Sequence, residues 1–122
     1  MSIILLRKSA TPLSTQVYEQ IKASILSGAL KVGECLPSIR SLARELEISV
    51  ITVKLAYERL ESEGLIKTVQ GKGCFVSDRE EDKLRARQDA LTEAYEAVKF
   101  CRECGVSESE VESMIKKVFN KI

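Results

Sequence analysis

The sequence predicts a mainly α-helical chain with one small β-hairpin, and three observations support this fold class. Two short amphipathic segments, near residues 39–46 and 50–64, follow one another with only a tight turn between them. Two strand-like runs, "LIKTV" and "CFVS", then flank "QGKG", which is typical of a hairpin with a glycine-rich tip. Two further segments with helical spacing complete the chain. We therefore expect one domain over residues 1–77 and a two-helix region over residues 78–122.

The first helix is predicted within "TPLSTQVYEQIKASILSG". Thr11 is a candidate N-cap, Pro12 occupies a first-turn position that tolerates its missing N–H, and Gly28 can end the helix. The preceding "IILL" indicates an edge strand or a docking segment before the basic residues Arg7 and Lys8. Apolar side chains along the helix share one face: Val17, Ile21 and Ile25, with Tyr18 and Leu26.

The next segments form the two helices of the tight-turn pair. Gly33 and Pro37 predict a loop in which Glu34–Leu36 can form a short strand. Ser38 is the N-cap candidate of the second helix and Ser49 that of the third. Helical spacing assigns Ile39, Leu42, Ala43 and Leu46 to the buried face of the second helix, and Val53, Ala56, Tyr57, Leu60 and Leu65 to that of the third and its exit.

The charged junction Asp78–Asp82 is the predicted domain boundary, and two helices follow it. The second of these has a clear start signal, because Ser107 and Glu110 have capping-box spacing and Val106 with Val111 can form a hydrophobic staple. Residues recur at helical spacing in both helices: Leu84, Leu91, Tyr95, Val98 and Cys101 or Arg102 in the first, and Val111, Met114, Ile115, Val118 and Ile122 in the second.

Composition restricts the function classes. The 19 Lys and Arg residues nearly balance the 18 Asp and Glu residues, but residues 1–77 hold ten basic against seven acidic side chains. This bias weakly indicates that the N-terminal part faces a polyanion. No apolar run is long enough to span a membrane, and "IILL" is too short for a signal-peptide core. We therefore expect a cytoplasmic protein whose four cysteines are thiols.

An enzyme is the least favoured class. The chain contains no histidine, which excludes histidine general bases and histidine metal ligands together. It also offers no carboxylate pair or phosphate-binding loop in a plausible pocket, and no residue set indicates a cofactor. Two consecutive short helices followed by a hairpin instead describe a winged helix-turn-helix. The alternative is a small α+β domain that binds no nucleic acid.

The hypothesis that the protein binds DNA rests on the first turn of the third helix. In a helix-turn-helix, the second helix enters the DNA major groove by its N-terminal end. Apolar side chains there can contact thymine methyl groups, and the helix N-terminus favours a phosphate. The alternative is that Val50 and Ile51 are partly buried against the preceding helix. The residues that cannot all join the core-facing stripe are Ser49, Val50, Ile51, Thr52 and Lys54.

Two further positions fit the same surface. Arg40 lies off the core face of the second helix, where a cation can clamp the DNA backbone beside the groove; alternatively, it is an exposed salt-bridge arginine. Gly71 and Lys72 form the hairpin tip. A glycine there allows close approach to a sugar-phosphate surface, and the lysine adds charge for a phosphate or the minor groove. A Gly-Lys-Gly turn alone is weak evidence.

At this point the sequence resembles a known family. The stretch "LPSIRSLARELEISVITVKLAYERLESEGLIKTVQGKGCFV" is similar to the GntR-type winged-helix repressor signature, and the similarity extends over about residues 11–77. The short tail resembles the YtrA-like branch. Val50 stands where many members of the wider family have an arginine, which removes arginine–guanine readout at that position. The resemblance implies a homodimeric repressor of an inverted-repeat operator, with DNA contacts from Arg40, Ser49, Thr52, Lys54, Gly71 and Lys72.

The tail helices need a partner surface, since an isolated pair buries little apolar area. A second copy of the chain would meet that need and would set two recognition helices about 34 Å apart, to meet successive half-sites. The expected partners are therefore a palindromic DNA operator and a second protomer; an unknown small-molecule effector stays open. The predicted dimerisation residues are Leu84, Leu91, Tyr95, Val98, Val111, Met114, Ile115 and Val118.

Cys101 and Cys104 have Cys-x-x-Cys spacing. One such pair without a second pair or a histidine is weak evidence for zinc, and the simpler interpretation is two small helix residues. Two alternatives to a DNA-binding repressor follow from these features. The first is a winged-helix adaptor that binds protein, and the second is a thiol- or metal-responsive sensor that uses this cysteine pair.

Overall fold

The computed structural model describes residues 1–120, which contain five helices and a two-stranded antiparallel sheet. This confirms the mainly α fold class with a small hairpin. Ile122, predicted on the apolar face of the last helix, lies outside the described residues. The elements in chain order are α1 (Leu13–Ser27), α2 (Ile39–Leu46), α3 (Val50–Ser62), β1 (Ile66–Val69), β2 (Gly73–Val76), α4 (Glu80–Glu103) and α5 (Glu108–Phe119).

One hydrophobic core joins α1, α2, α3 and the hairpin. The predicted core faces of α1 and α3 are confirmed, whereas in α2 the flanking Ile39 and Leu46 are only partly buried. The segment before α1 is a docking segment, because Ile3 and Leu5 pack against this core without forming a strand. The largest fully buried side chains are Ile21, Ile25, Leu42, Leu60, Leu65, Val17, Val53 and Val76.

Serine side chains begin three of the helices as predicted. The Ser38 Oγ accepts a hydrogen bond from the Ser41 N–H at 3.0 Å, and the Ser49 Oγ accepts one from the Thr52 N–H at 3.2 Å. At α5, Ser107 and Glu110 form both halves of a capping box. These bonds satisfy N–H groups that the first turn of a helix leaves free.

The predicted start of α1 is wrong. The helix begins at Leu13, with Pro12 in an extended conformation (φ −55°, ψ 146°) at the N-cap position, so Thr11 is not the cap. The extended ψ of Pro12 delays the first helical residue to Leu13, so the N-cap position falls on a proline, whose side chain cannot accept a hydrogen bond. The Thr11 carbonyl instead accepts a hydrogen bond from the Gln16 side chain at 2.8 Å.

The hairpin pairs Ile66 with Val76 and Val69 with Gly73, and its tip is residues 70–72. The strand predicted at Glu34–Leu36 reduces to one bridge, in which Cys35 faces Phe75. Flanking hydrogen bonds extend this bridge, because the Leu36 N–H donates to the Cys74 carbonyl at 2.8 Å. The loop before α2 therefore lies along the outer edge of β2.

The chain divides into two compact units within α4. The first runs from Met1 to Ala86, and the second starts at Arg87. The first turns of α4 belong to the first unit, where Asp82 and Ala86 are buried. The division into a 1–77 domain and a 78–122 region stays a prediction. Among the described residues, no helix has the length and apolar character needed to cross a bilayer.

Candidate nucleic-acid interface

The turn between α2 and α3 sets the position of the third helix. Glu47 adopts a left-handed conformation (φ 56°, ψ 46°), and its N–H donates to the carbonyls of Ala43 and Arg44. The next N–H, of Ile48, donates to the Ala43 carbonyl at 3.0 Å. These bonds satisfy two carbonyls in the last turn of α2 and end the helix. Ser49 then starts α3.

The first turn of α3 presents apolar side chains to solvent. Ile51 is 65% exposed and Val50 is 45% exposed. Ile51 is therefore not part of the core, and the interpretation that it packs against α2 is wrong; Val50 is about half covered. The hydroxyl oxygens of Ser49 and Thr52 lie 2.7 Å apart and share a hydrogen bond beside this apolar pair.

Leu55 extends the apolar surface by one helical turn and was missed by sequence reasoning. It is 53% exposed and lies four residues after Ile51, so the two side chains share the face of α3 opposite the core. The signal was present in the sequence, because Leu55 falls outside the stripe formed by Val53, Ala56 and Tyr57. The prediction covered only the start of the helix, up to Lys54.

A cleft of about 350 Å³ lies between the start of α2, the side of α3 and the hairpin. Arg40 from α2 and Lys54 from α3 both line it, so the structure brings these two predicted cations to one surface. Gly71 and Lys72 lie exposed at the hairpin tip and do not line the cleft. The cleft walls also include Ile39, Tyr57, Glu58, Glu61, Thr68 and Cys74.

Two hydrogen bonds hold the walls of this cleft together. The Tyr57 hydroxyl donates to the Pro37 carbonyl at 2.7 Å, which ties α3 to the entry of α2. The Thr68 N–H donates to the Glu61 carboxylate at 3.1 Å, which ties the hairpin to α3. Burial raises the pKa of the Tyr57 hydroxyl, so it stays a protonated donor. The second bond ties the hairpin, the wing of the predicted winged helix-turn-helix, to α3, its predicted recognition helix.

The hairpin tip adopts the conformation that its glycine allows. Gly71 has a φ of 80°, in the left-handed region that favours glycine. The adjacent Lys72 N–H donates to the Val69 carbonyl at 2.9 Å and closes the turn. This arrangement leaves the Lys72 side chain exposed at the end of the wing.

The four cysteines are free thiols within the described part of the chain. Cys35 and Cys74 lie near each other at the β2 edge, and burial raises the pKa of the Cys74 thiol. Cys101 is half-buried and Cys104 is exposed at the C-terminal end of α4. Residues 1–120 contain no group of three or more His, Cys, Asp or Glu side chains placed to hold a metal ion.

The two-helix turn, the exposed first turn of α3 and the hairpin against it define a winged helix-turn-helix protein. Its sequence matches the family described as "Bacterial regulatory proteins, gntR family" over residues 13–76, slightly more than half of the chain. The chain therefore belongs to the GntR family.

Individual relatives place it in the YtrA-like branch. It is 41% identical over 71 residues to the HTH-type transcriptional repressor YtrA of Bacillus subtilis (strain 168), an alignment that covers 58% of this chain and 55% of that protein. The chain thus spans about half the length of that relative. It is also similar to the structure of YtrA from Sulfolobus acidocaldarius, a GntR-family transcription factor, with a TM-score of 0.59 and 38% identity over 74% of this chain and 97% of that one.

A structure with DNA is also similar. The crystal structure of AraR(DBD) in complex with operator ORR3 gives a TM-score of 0.53 at 30% identity, and it covers 63% of this chain and 93% of that chain. The likeness is to a DNA-binding domain captured on its operator.

Proposed function

We propose that this chain is a DNA-binding transcriptional repressor that recognises an inverted-repeat operator as a homodimer in the cytoplasm. The observation that carries the proposal is the exposed first turn of α3 beside a cleft lined by Arg40 and Lys54. Apolar side chains without a partner and two cations on one face suit a surface that meets both base edges and phosphates.

The roles on α3 follow from its entry into the major groove by the N-terminal end. Ile51, with Val50 beside it, contacts thymine methyl groups, because neither side chain can form hydrogen bonds to a base. The hydroxyls of Ser49 and Thr52 reach a phosphate or a base edge. Lys54, one turn further along, contacts a phosphate or a guanine.

The wing and α2 position the DNA backbone on the other side of the cleft. Arg40 at the start of α2 contacts a phosphate, and Lys72 with Gly71 approaches the minor groove. The sugar-phosphate strand passes the basic side of the cleft, at Arg40 and Lys54, and avoids the side lined by Glu58 and Glu61. The relatives support DNA binding and repression, because the AraR domain is named as an operator complex and the Bacillus YtrA as a repressor.

Tail side chains are proposed to form the dimer interface. The predicted residues Leu84, Leu91, Tyr95, Met114, Ile115 and Val118 are exposed, and Val98 is 38% exposed, whereas Val111 is half-buried. Phe100 and Phe119 are also exposed; by helical spacing Phe119 borders the apolar face of α5, whereas Phe100 lies on the face of α4 opposite Leu91 and Tyr95. The helical spacing of the predicted residues aligns them in one apolar stripe on each helix, and a continuous exposed apolar surface favours a partner. A second copy of the chain is that partner.

Fluorescence anisotropy tests the DNA proposal. The purified protein is titrated with DNA from upstream of its own gene and with a scrambled duplex, at several salt concentrations. Specific binding should exceed non-specific binding by at least ~10³-fold and should weaken with salt by about 0.9 log units per phosphate neutralised, per log unit of salt. If no duplex binds even at low salt, the DNA proposal fails and a protein-binding adaptor is favoured.

Three variants separate the roles. Ile51→Ala should weaken operator binding by roughly tenfold and leave scrambled DNA unaffected, because it removes base contact alone. Lys54→Ala, as a phosphate contact, should weaken both and reduce the salt slope by about 1. Val32→Ala is the matched control, since Val32 is similarly exposed but lies in the loop before α2. Equal losses from Ile51→Ala and Val32→Ala would contradict the base-contact role.

Sedimentation tests the dimer. The wild-type chain should be a dimer at micromolar concentration, and Leu91→Glu, which places a charge on the proposed interface, should shift it to a monomer with unchanged helix content. Glu93→Lys is the control, because it changes an exposed charge on the same helix without removing apolar surface. A monomeric wild-type chain contradicts the homodimer.

A further inference from the structure

We infer that Arg7 is a positioning residue for the recognition helix α3. It is the last residue of an N-terminal arm, Ile3–Arg7, whose contacts hold it in place. The arm precedes the first helix, lies outside the residues that match the family and makes a specific set of contacts with α1 and with the α2–α3 turn. Its effect on DNA binding rests on the proposed function, whereas its effect on the turn does not.

Two glutamines of α1 bind the arm as a strand partner would. The Gln16 Oε1 accepts the Leu6 N–H at 2.8 Å, and its Nε2 donates to the Leu6 carbonyl at 3.0 Å. Gln20 repeats the pattern, with its Oε1 on the Ile4 N–H at 2.9 Å and its Nε2 on the Ile4 carbonyl at 2.6 Å. Residues four apart on a helix share a face, and alternate residues of an extended segment share a side, so the two repeats match.

Apolar side chains of the arm also anchor it by packing against the hydrophobic core. Ile3 and Leu5 lie against the hydrophobic core, whereas Ile4 and Leu6 are exposed. The arm is thus fixed by four side chain–backbone hydrogen bonds on one edge and by two apolar side chains below it. This arrangement fixes where the next residue, Arg7, emerges.

Arg7 reaches the turn that starts the recognition helix. Its Nη2 donates to the carbonyl of Leu46, the last residue of α2, at 2.8 Å, and lies 3.4 Å from the carbonyl of Glu47. Carbonyls at a helix C-terminus have no partner within the helix and carry partial negative charge, so a guanidinium is well suited to them. Arg7 therefore acts as a side-chain cap supplied from 39 residues upstream.

The contact bears on DNA readout because the recognition helix begins directly after the turn. Glu47 holds a left-handed conformation, which a residue with a Cβ adopts at a cost, and Ser49 begins α3 two residues later. A cation on the Leu46 and Glu47 carbonyls stabilises this conformation and with it the direction of the first turn of α3. The side chains of Ile51 and Lys54 leave α3 from that turn and the next.

Hydrogen exchange tests the positioning role without DNA. In Arg7→Ala, the amides of Glu47 and Ile48, which donate to the end of α2, should exchange about tenfold faster, as expected for losing hydrogen bonds from a charged donor. The amides of Lys72 and Glu110, which open locally in other parts of the chain, should be unchanged. Gln20→Ala, which releases the arm but keeps Arg7, should accelerate the same turn amides to a smaller extent. An unchanged turn, or equal acceleration of the Lys72 and Glu110 amides, overturns the inference.

DNA binding tests its consequence. Arg7→Ala should weaken operator binding by about tenfold with the salt slope unchanged, and Arg7→Lys, which keeps the charge and one donor, should recover part of the loss. Lys8→Ala removes a neighbouring exposed charge and is the control. A salt slope reduced by about 1 in Arg7→Ala would make Arg7 a phosphate contact and overturn its positioning role. If the wild-type chain does not distinguish operator from scrambled DNA, the proposed function fails, and the exchange result still decides the role of Arg7.

Discussion

Gly64 lies between α3 and β1, and we expect Gly64→Ala to destabilise the first unit by much more than a typical glycine substitution. Gly64 has a φ of 76°, in the left-handed region. A Cβ built on it would lie 2.6 Å from the Cγ of Asp82 and 3.2 Å from its Cβ. The substitution therefore meets an unfavourable backbone conformation and a steric overlap at the same time.

The magnitude follows from these two effects. A residue with a Cβ in the left-handed region costs about 1–2 kcal/mol. The overlap adds more, because Asp82 is buried and its carboxylate is held at 3.1 Å by both the Arg79 Nε and the Arg85 Nη1. Forcing extra volume into a packed site costs about 1–3 kcal/mol. We expect the free energy of unfolding to fall by about 2–5 kcal/mol.

Urea unfolding followed by circular dichroism measures the effect, and two variants separate its causes. Gly28→Ala is matched in backbone conformation (φ 86°), but its Cβ would meet open space among the described residues, so it should lose only about 1–2 kcal/mol. Adding Asp82→Ala to Gly64→Ala should restore stability relative to the sum of the single changes. Equal losses at Gly28 and Gly64 would refute the steric argument.

Three further predictions concern other parts of the chain. Burial raises the pKa of Tyr57 above its ordinary 10.0, so the stability contributed by its protonated hydroxyl is present below about pH 10 and is lost as the pH rises further. Between about pH 8 and about pH 11, the urea midpoint of Tyr57→Phe should therefore fall less than that of the wild-type chain. An identical fall in both would contradict this. Glu47→Gly should raise the free energy of unfolding by about 0.5–1 kcal/mol, because glycine accepts the left-handed conformation; thermal unfolding tests this, and a lower midpoint would count against it. Ser107→Ala removes the capping box of α5 and should cost about 1 kcal/mol, seen as faster exchange of the Glu110 amide; unchanged exchange would show that the cap is dispensable.

Sequence reasoning succeeded where the signal is local. Ser38, Ser49 and Ser107 each cap a helix by bonding an N–H three residues ahead, so the donor and acceptor fall within one short pattern. The hairpin is equally local, because its turn and its register lie within eleven residues. Helical spacing likewise identified the buried faces, since a face depends only on the period of the helix.

It failed where the partner is distant. Gln16 and Gln20 bind backbone groups 10 and 16 residues upstream, and Arg7 binds carbonyls 39 and 40 residues downstream. These sequence separations follow neither the helical nor the strand period, so no short sequence pattern indicates the pairing. A glutamine on a helix also suits an exposed face, so nothing in the pattern distinguishes it from a binding side chain. Thr11 failed for a different reason, because Pro12 adopts an extended rather than a helical ψ, which moves the N-cap position one residue past Thr11.

The candidate site contains both a feature that was predictable from local sequence and one that was not. The exposure of Ile51 follows from helical period and was predictable, but the meeting of Arg40 and Lys54 around one cleft depends on how α2, α3 and the hairpin pack. That packing rests on the bonds from Tyr57 to Pro37 and from Thr68 to Glu61, which join positions 20 and 7 residues apart.

Charge along α3 indicates how the helix meets a polyanion. Its first half carries the exposed apolar surface and Lys54, whereas Glu58 and Glu61 lie one to two turns later on the side that faces the cleft. The helix N-terminus adds partial positive charge to the basic half. A polyanion is therefore favoured at the start of the helix and disfavoured at its end, so α3 would enter the groove by its N-terminal end, at the turn that Arg7 holds. Under the proposed function, phosphate contacts from cations such as Lys54 contribute affinity, whereas base contacts from Ile51 carry sequence information.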